Sequence, residues 1–201
     1  MVKTYPPRAI DTIAQNTLKN YNEELVTGDP TAIPIEELIE LHFGLIVEYR
    51  NLSKDGHIHG MTVFEDSIIP IYDERTKRLE PIFAKAGTIL IDKRLLVGNR
   101  VKRMRFTLAH ELGHYLMHDE YYSNQVTLPN KSKLKSVEQQ EKEADDLGAS
   151  LLMPYGRVKV AYKRLANKYS KEELIKKLAE IFEVSKEAME IRLKKIGLYY
   201  L

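Results

Sequence analysis

The chain has 201 residues, 43% hydrophobic and 30% charged, which is enough apolar side chain for one substantial core or a core with a small appendage. Its 31 Lys+Arg against 29 Asp+Glu leave a formal net charge of +2, too small to coat nucleic acid or a membrane through bulk electrostatics. No apolar run approaches the roughly 18–20 residues of a bilayer span and residues 1–7 lack the apolar stretch of a signal peptide, so a cytoplasmic protein is expected. With no cysteine at all, any metal must be held by His, Asp and Glu.

Ala9, Ile10, Ile13, Ala14, Thr17, Leu18 and Tyr21 recur at helical spacing, and Gly28-Asp29-Pro30 marks the turn that ends this first amphipathic helix. Pro34 suits the first turn of a second helix, with Ile35, Leu38, Ile39 and Leu41 as its buried stripe and Gly44 as its stop. Residues 45–49, 61–64, 68–72 and 88–91 are short runs rich in β-branched and aromatic side chains, the strands of one small sheet, while 73–87 reads as a loop.

Helical patterns resume over 99–118 and over 136–153, the second opened by the capping box Ser136-Val137-Glu138-Gln139 and ended by Pro154. Two further helices follow, one opened by the capping box Ser170-Lys171-Glu172-Glu173, the other N-capped by Ser185 and closed by Gly197. Charge shifts along the chain: residues 1–156 carry a net −4 and residues 157–201 a net +6. The expected fold class is α+β, mostly helical, with a domain over 1–155 and a basic helical subdomain over 156–201.

Within the helix over 99–118 stands His110-Glu111-Leu112-Gly113-His114, an H-E-x-x-H motif. Residues four apart share one helix face, so His110 and His114 can both turn a ring nitrogen to a metal about 2.0–2.1 Å away, while Glu111 reaches a water beside it. That is the set needed to hydrolyse a peptide bond, with Glu111 as general base. The bland alternative is a helix with two satisfied histidines. A catalytic site of this kind needs a third protein ligand. The next helix offers Glu141, four residues before Asp145 on a face where Ala144, Gly148 and Ala149 allow close helix approach. Glu141 can bind the metal while Asp145 accepts the second N–H of a ligating histidine. Two His and one carboxylate also suit Mn or Fe; the motif favours Zn2+.

The run Arg105-Phe106-Thr107-Leu108-Ala109-His110-Glu111-Leu112-Gly113-His114, then Glu141-Lys142-Glu143-Ala144-Asp145, then Leu151-Leu152-Met153-Pro154 resembles the ImmA/IrrE-type zinc metallopeptidases over roughly residues 9–155. The resemblance implies a zincin-like domain with zinc on His110, His114 and Glu141, Glu111 as base and Asp145 behind the ligands. Glu143 is the competing third ligand. It also implies a protein substrate, a helix-turn-helix repressor of a mobile element or stress response. Some relatives carry a DNA-binding domain ahead of the peptidase part; none is expected here, with few residues before Ala9.

Other residues carry double readings. His118, one turn beyond His114, is too far along the axis to share an ion with His110; it can line the cleft, stabilise an oxyanion, or serve as a polar residue near a helix end. His57 and His59 alternate with Gly56 and Gly60 and mark a turn or a cleft border. Tyr155 can offer a phenol to an oxyanion or anchor a helix end. In the tail, Leu174, Ile175, Leu178, Ile181 and Phe182 face Met189, Ile191, Leu193 and Ile196 in a helix-turn-helix shape with Arg192 as its one base-reading candidate. Two rival functions follow, a regulator that binds without cutting and a DNA-binding protein using the basic tail; packing or substrate docking by the tail is preferred to DNA binding, and no membrane partner is expected.

Overall fold

A computed structural model describes residues 5–122 and 131–199, with side chains described outside 119–136. In chain order the elements are α1 (Pro7–Tyr21), α2 (Glu24–Thr27), α3 (Ile35–Glu37) continued by a π-helical turn (Leu38–His42), β1 (Ile46–Arg50), β2 (Gly60–Val63), β3 (Ser67–Asp73), β4 (Arg78–Ala84), β5 (Thr88–Asp92), α4 (Val101–Tyr122), α5 (Lys131–Leu152), α6 (Tyr155–Leu165), α7 (Lys171–Ile181) and α8 (Lys186–Lys195). The protein is α+β. It falls into two compact units, one of residues 35–148 and one in which residues 5–34 join the chain from 149 on.

In the first unit β1 pairs parallel with β5 and β2 pairs antiparallel with it, giving the order β1-β5-β2, while β3 and β4 form a separate antiparallel hairpin. The strands therefore make two sheets instead of the single one expected. β5 is buried along its whole length, which is why its apolar run is continuous and not alternating. Leu52, Val63, Ile69, Ala84 and Leu90 form a core cluster with Ile58, Met61 and Ile82 against it, so hairpin and sheet share one apolar centre. α4 lies on β2 and β5.

Three further expectations in this unit are corrected. Residues 73–87 contain β4 and are not a loop. The strand is hidden because its apolar side chains point outward: Leu79 and Phe83 are 61% and 68% exposed, as is Ile68 opposite Phe83 at 74%, and Pro81, facing Pro70 in register, argues against a strand. Leu41 is exposed instead of buried, because the π turn moves residues after Leu38 off the 3.6-residue period. The capping box at Ser136 is likewise displaced, since α5 begins at Lys131 and residue 136 lies inside it.

The loop between β1 and β2 is tied down by one buried ion pair. Asp92, 1% exposed, takes Arg94 in a bidentate grip (Oδ1 to Nε 2.8 Å, Oδ2 to Nη2 2.6 Å) and also accepts the Arg94 backbone N–H at 2.9 Å. The guanidinium then donates to the carbonyl of Ser53 at 2.6 Å. Burial pushes the Asp92 carboxyl up, but the Arg94 side chain and the backbone N–H groups outweigh it and leave the value below the usual carboxylate range. Such a group stabilises the fold above its unfolded value of about 4 and loses that contribution as pH falls through its folded value. Asp92→Asn is therefore expected to lower stability at pH 7 by about 2 kcal/mol and to flatten its decline below about pH 4; urea titrations of both proteins at pH 7 and in acid check this, and parallel pH profiles would refute it.

In the second unit the buried residues of α1 (Ile10, Ala14, Leu18) follow the expected helical stripe. Ser170 and Glu173 form the capping box of α7, and Ser185 caps α8, as their sequences specify. Pro154 ends α5 and also begins α6. That helix escapes periodicity because Arg157, buried and donating to the Leu25 carbonyl at 3.3 Å, stands beside Val158, Ala161 and Tyr162 on its inner side. Ile191 is exposed, contrary to the expected stripe. Arg192 is 3% exposed; its Nη2 contacts Asp11 at 2.7 Å and its Nε donates to the Met153 carbonyl at 3.0 Å. Arg192, the candidate base reader, is thus committed to the interior, in line with the preferred packing role of the tail. Among the described residues no helix is long and apolar enough to cross a membrane.

Candidate metal centre

The centre begins with two glycines that let α4 and α5 touch. A Cβ at Gly148 would stand 3.1 Å from the His110 backbone nitrogen, and one at Gly113 would stand 3.0 Å from the Ala144 carbonyl oxygen; a side chain at either position would press the two helix backbones apart. Gly113 occupies the second variable position of H-E-x-x-H, so one residue of the motif serves packing.

At that contact His110 and His114, one turn apart on α4, face each other through their Nε2 atoms at 3.0 Å. Glu141 of α5 straddles them, its Oε2 3.4 Å from His110 Nε2 and its Oε1 3.4 Å from His114 Nε2. The three ligand atoms lie within 4.8 Å of one another. Tetrahedral bonds of about 2.0–2.1 Å would put neighbouring donors about 3.3 Å apart, so the donor set fits a single divalent cation. Behind the cluster, Asp145 meets His110 Nδ1 at 2.9 Å. Burial pulls the His110 imidazole down, but its hydrogen bonds to Asp145 and Glu141 outweigh it and push the value up to about 10. The same two imidazoles hold Glu141 well below the usual carboxylate range. The negative field of Glu141 and Asp145 at the imidazoles is the field a metal cation would meet.

Glu111 lines the same cleft as the two histidines and is 7% exposed. The Thr62 hydroxyl on β2 lies 2.8 Å from Glu111 Oε2 and 3.0 Å from its backbone oxygen. Gly60 leaves the hollow that Oε1 fills, since a Cβ there would come within 2.6 Å of it. Burial raises the Glu111 carboxyl above its ordinary value against the pull of His110 and His114, the direction that makes a carboxylate a better proton acceptor near neutral pH.

Glu143 turns the opposite way from Glu141 on α5, with its Oε2 3.2 Å from His118 Nε2; both side chains are 2% exposed. His118 in turn brings its Nδ1 to 3.2 Å from His114 Nδ1. Burial holds the His118 imidazole below its ordinary value despite Glu143. The structure thus places His118 behind His114, and it is not among the residues that line the cleft. Tyr155 belongs to the other compact unit, and its hydroxyl lies 3.4 Å from Lys159 Nζ.

The centre opens into a cleft of ≈ 630 Å³ lined by His57, His59, Phe64, Arg103 and Phe106 as well as by β2 and the cluster. His57 and His59 sit in the irregular stretch before β2 and border the cleft; His57 Nδ1 pairs with Asp55, whose carboxyl this pairing lowers to about 2. Thr62 and Gly60 carry no local sequence signal for this site, because their role depends on β2 lying along α4, a long-range pairing that spacing does not encode; Arg103 and Phe106, seven and four residues before His110 on α4, share its face by helical spacing.

The family model described as the IrrE N-terminal-like domain (Peptidase_M78) matches residues 59–194. No curated protein matches the chain in sequence. Among solved structures, a Mycobacterium tuberculosis transcriptional regulator aligns with a TM-score of 0.55 at 17% identity, over 92% of this chain and 46% of that one. The present chain therefore spans less than half of that protein, and the likeness is one of fold.

Proposed function

Since the chain belongs to the IrrE N-terminal-like, Peptidase_M78 family of metallopeptidases, we propose that it is a zinc-dependent endopeptidase that cuts a peptide bond in a protein, a helix-turn-helix repressor of a mobile element or stress response. The observation that carries this reading is the convergence of His110, His114 and Glu141 beside the buried carboxylate of Glu111. The transcription-linked neighbour in fold and the cleft's edge strand β2 support a regulatory protein as substrate, because an extended peptide can add to an unpaired strand edge. Cytoplasmic action follows from such a substrate.

His110, His114 and Glu141 would hold the ion, and a zinc ion there supplies Lewis acidity, polarising the scissile carbonyl and acidifying a water. Asp145 accepts the Nδ1 proton of His110 and so keeps the Nε2 lone pair directed at the cluster. Glu111 takes the proton of the attacking water. Thr62 occupies Oε2, leaving Oε1 to hold that proton until the departing amine accepts it. The near-complete burial of Glu111 keeps bulk water from competing for it.

Purified protein is expected to bind one Zn2+ per chain. Glu141→Ala should weaken that affinity by more than about 100-fold, beyond the loss of an outer partner, while Glu143→Gln, which keeps a carbonyl acceptor toward His118, should cost less. Competition with a chromophoric chelator measures both, and fragments of co-incubated repressor proteins, weighed by mass spectrometry, test the cleavage. Equal affinity in wild type and Glu141→Ala would rule Glu141 out as a ligand.

A further inference from the structure

His114 has two nitrogens, and a ligand must present Nε2 as a lone pair and keep its proton on Nδ1. The residues behind it settle where that proton sits. Glu143 carries two oxygens; Oε1 accepts from the Gln139 amide at 2.8 Å and Oε2 faces His118 Nε2 at 3.2 Å. A carboxylate only accepts, so His118 Nε2 carries a hydrogen, and the neutral ring is left with an acceptor at Nδ1. That acceptor stands 3.2 Å from His114 Nδ1. The His114 proton is then drawn to Nδ1, and its Nε2 lone pair faces His110 and Glu141. For neutral imidazoles these contacts give one arrangement of hydrogens, and the pairing is anchored in the interior: His118 is 3% exposed and Glu143 1%.

We propose that His118, held by Glu143, is the positioning residue for His114, in a buried carboxylate–imidazole–imidazole relay that fixes the tautomer and ring orientation required of a metal ligand. The two histidines of the motif are thus oriented by different means. His110 is held directly by Asp145, whose side chain is 59% exposed, and His114 through a dry two-step relay. This inference rests on the metal reading of the centre.

The test uses the full chain and zinc alone. His118→Leu is expected to weaken zinc binding about 10- to 100-fold, the usual cost of losing an outer partner of a ligating histidine. His118→Asn, whose side-chain oxygen can stand near the place of Nδ1, should recover most of the loss. Glu143→Leu added to His118→Leu should weaken binding no further, because Glu143 acts through His118. Long-range 1H–15N spectra of the imidazoles should find His118 protonated at Nε2 and bare at Nδ1, with or without zinc. A folded His118→Leu variant that binds zinc as tightly as wild type overturns the proposal, and so does a His118 proton on Nδ1. If His118→Leu does not fold, the asparagine variant and the spectra decide. Should wild type take up no zinc, the metal reading fails, and the metal-free spectra still judge the relay.

Discussion

Glu111→Gln is expected to lower peptide hydrolysis by about 10²–10⁴-fold while leaving zinc content and thermal stability close to wild type. The amide has the size of the carboxylate and can still accept the Thr62 hydroxyl that lies 2.8 Å from Oε2, and Gly60 leaves the same hollow beside it. What disappears is the basic oxygen. Because burial already raises the Glu111 carboxyl, a neutral replacement removes a desolvation cost and adds none. The measurement compares repressor fragments, metal content and melting temperature for the two proteins in parallel. Cleavage surviving at the wild-type rate would mean that the proton goes elsewhere; loss of regulation without loss of binding would exclude the rival in which the chain acts only by sequestering its partner.

Gly148→Val should be the most damaging change outside the cluster itself. Its Cβ would press on backbone atoms, the His110 nitrogen at 3.1 Å and the Ala109 carbonyl carbon at 3.2 Å, and neither can swing aside as a side-chain tip would. Overpacking of this sort costs about 1–3 kcal/mol, and relief comes only by parting α4 from α5. Glu141 lies seven residues before Gly148, two turns back on the same face, so parting the helices also draws Glu141 away from His110 and His114. Denaturant titrations with zinc and with a chelator should show a stability loss that is larger with zinc, because the variant forfeits the binding free energy as well. Gly148→Ala should show the same pattern at smaller size. Equal loss in both conditions would mean that the helix contact does not control the centre.

The face-sharing of His110 and His114 is legible because helical spacing alone guarantees it, and Ala144 and Gly148 announce a close helix contact before any coordinates. The capping box at Ser170 and the N-cap at Ser185 are legible for the same reason, being local chemistry. Where non-local pairing decides, spacing is silent. Nothing around Thr62 or Gly60 signals that β2 runs along α4 and cradles Glu111. The choice between Glu141 and Glu143, two residues apart on one helix, turns on which way α5 is rotated. His118 reads as a helix-end residue until its burial against Glu143 is known. β4 and Leu41 escape periodicity because outward-facing apolar side chains and a π turn break the patterns on which it depends, and a basic tail says nothing about which of its cations, here Arg192, is interior.

The β3–β4 hairpin carries its own consequence. Tyr72 sends its backbone N–H away from β4 to the Asn51 carbonyl at 2.8 Å, so Tyr72 and every second residue along β3 stand at positions that do not bond across the ladder. Pro70 and its partner Pro81 fall in that set. Each would otherwise aim a donor at solvent from the middle of an outer edge, and proline has none. The ribbon is therefore greasy on its broad side and mute along its rims: stray chains can lie over Ile68, Leu79 and Phe83, but they find no complete row of donors on which to grow a fibre.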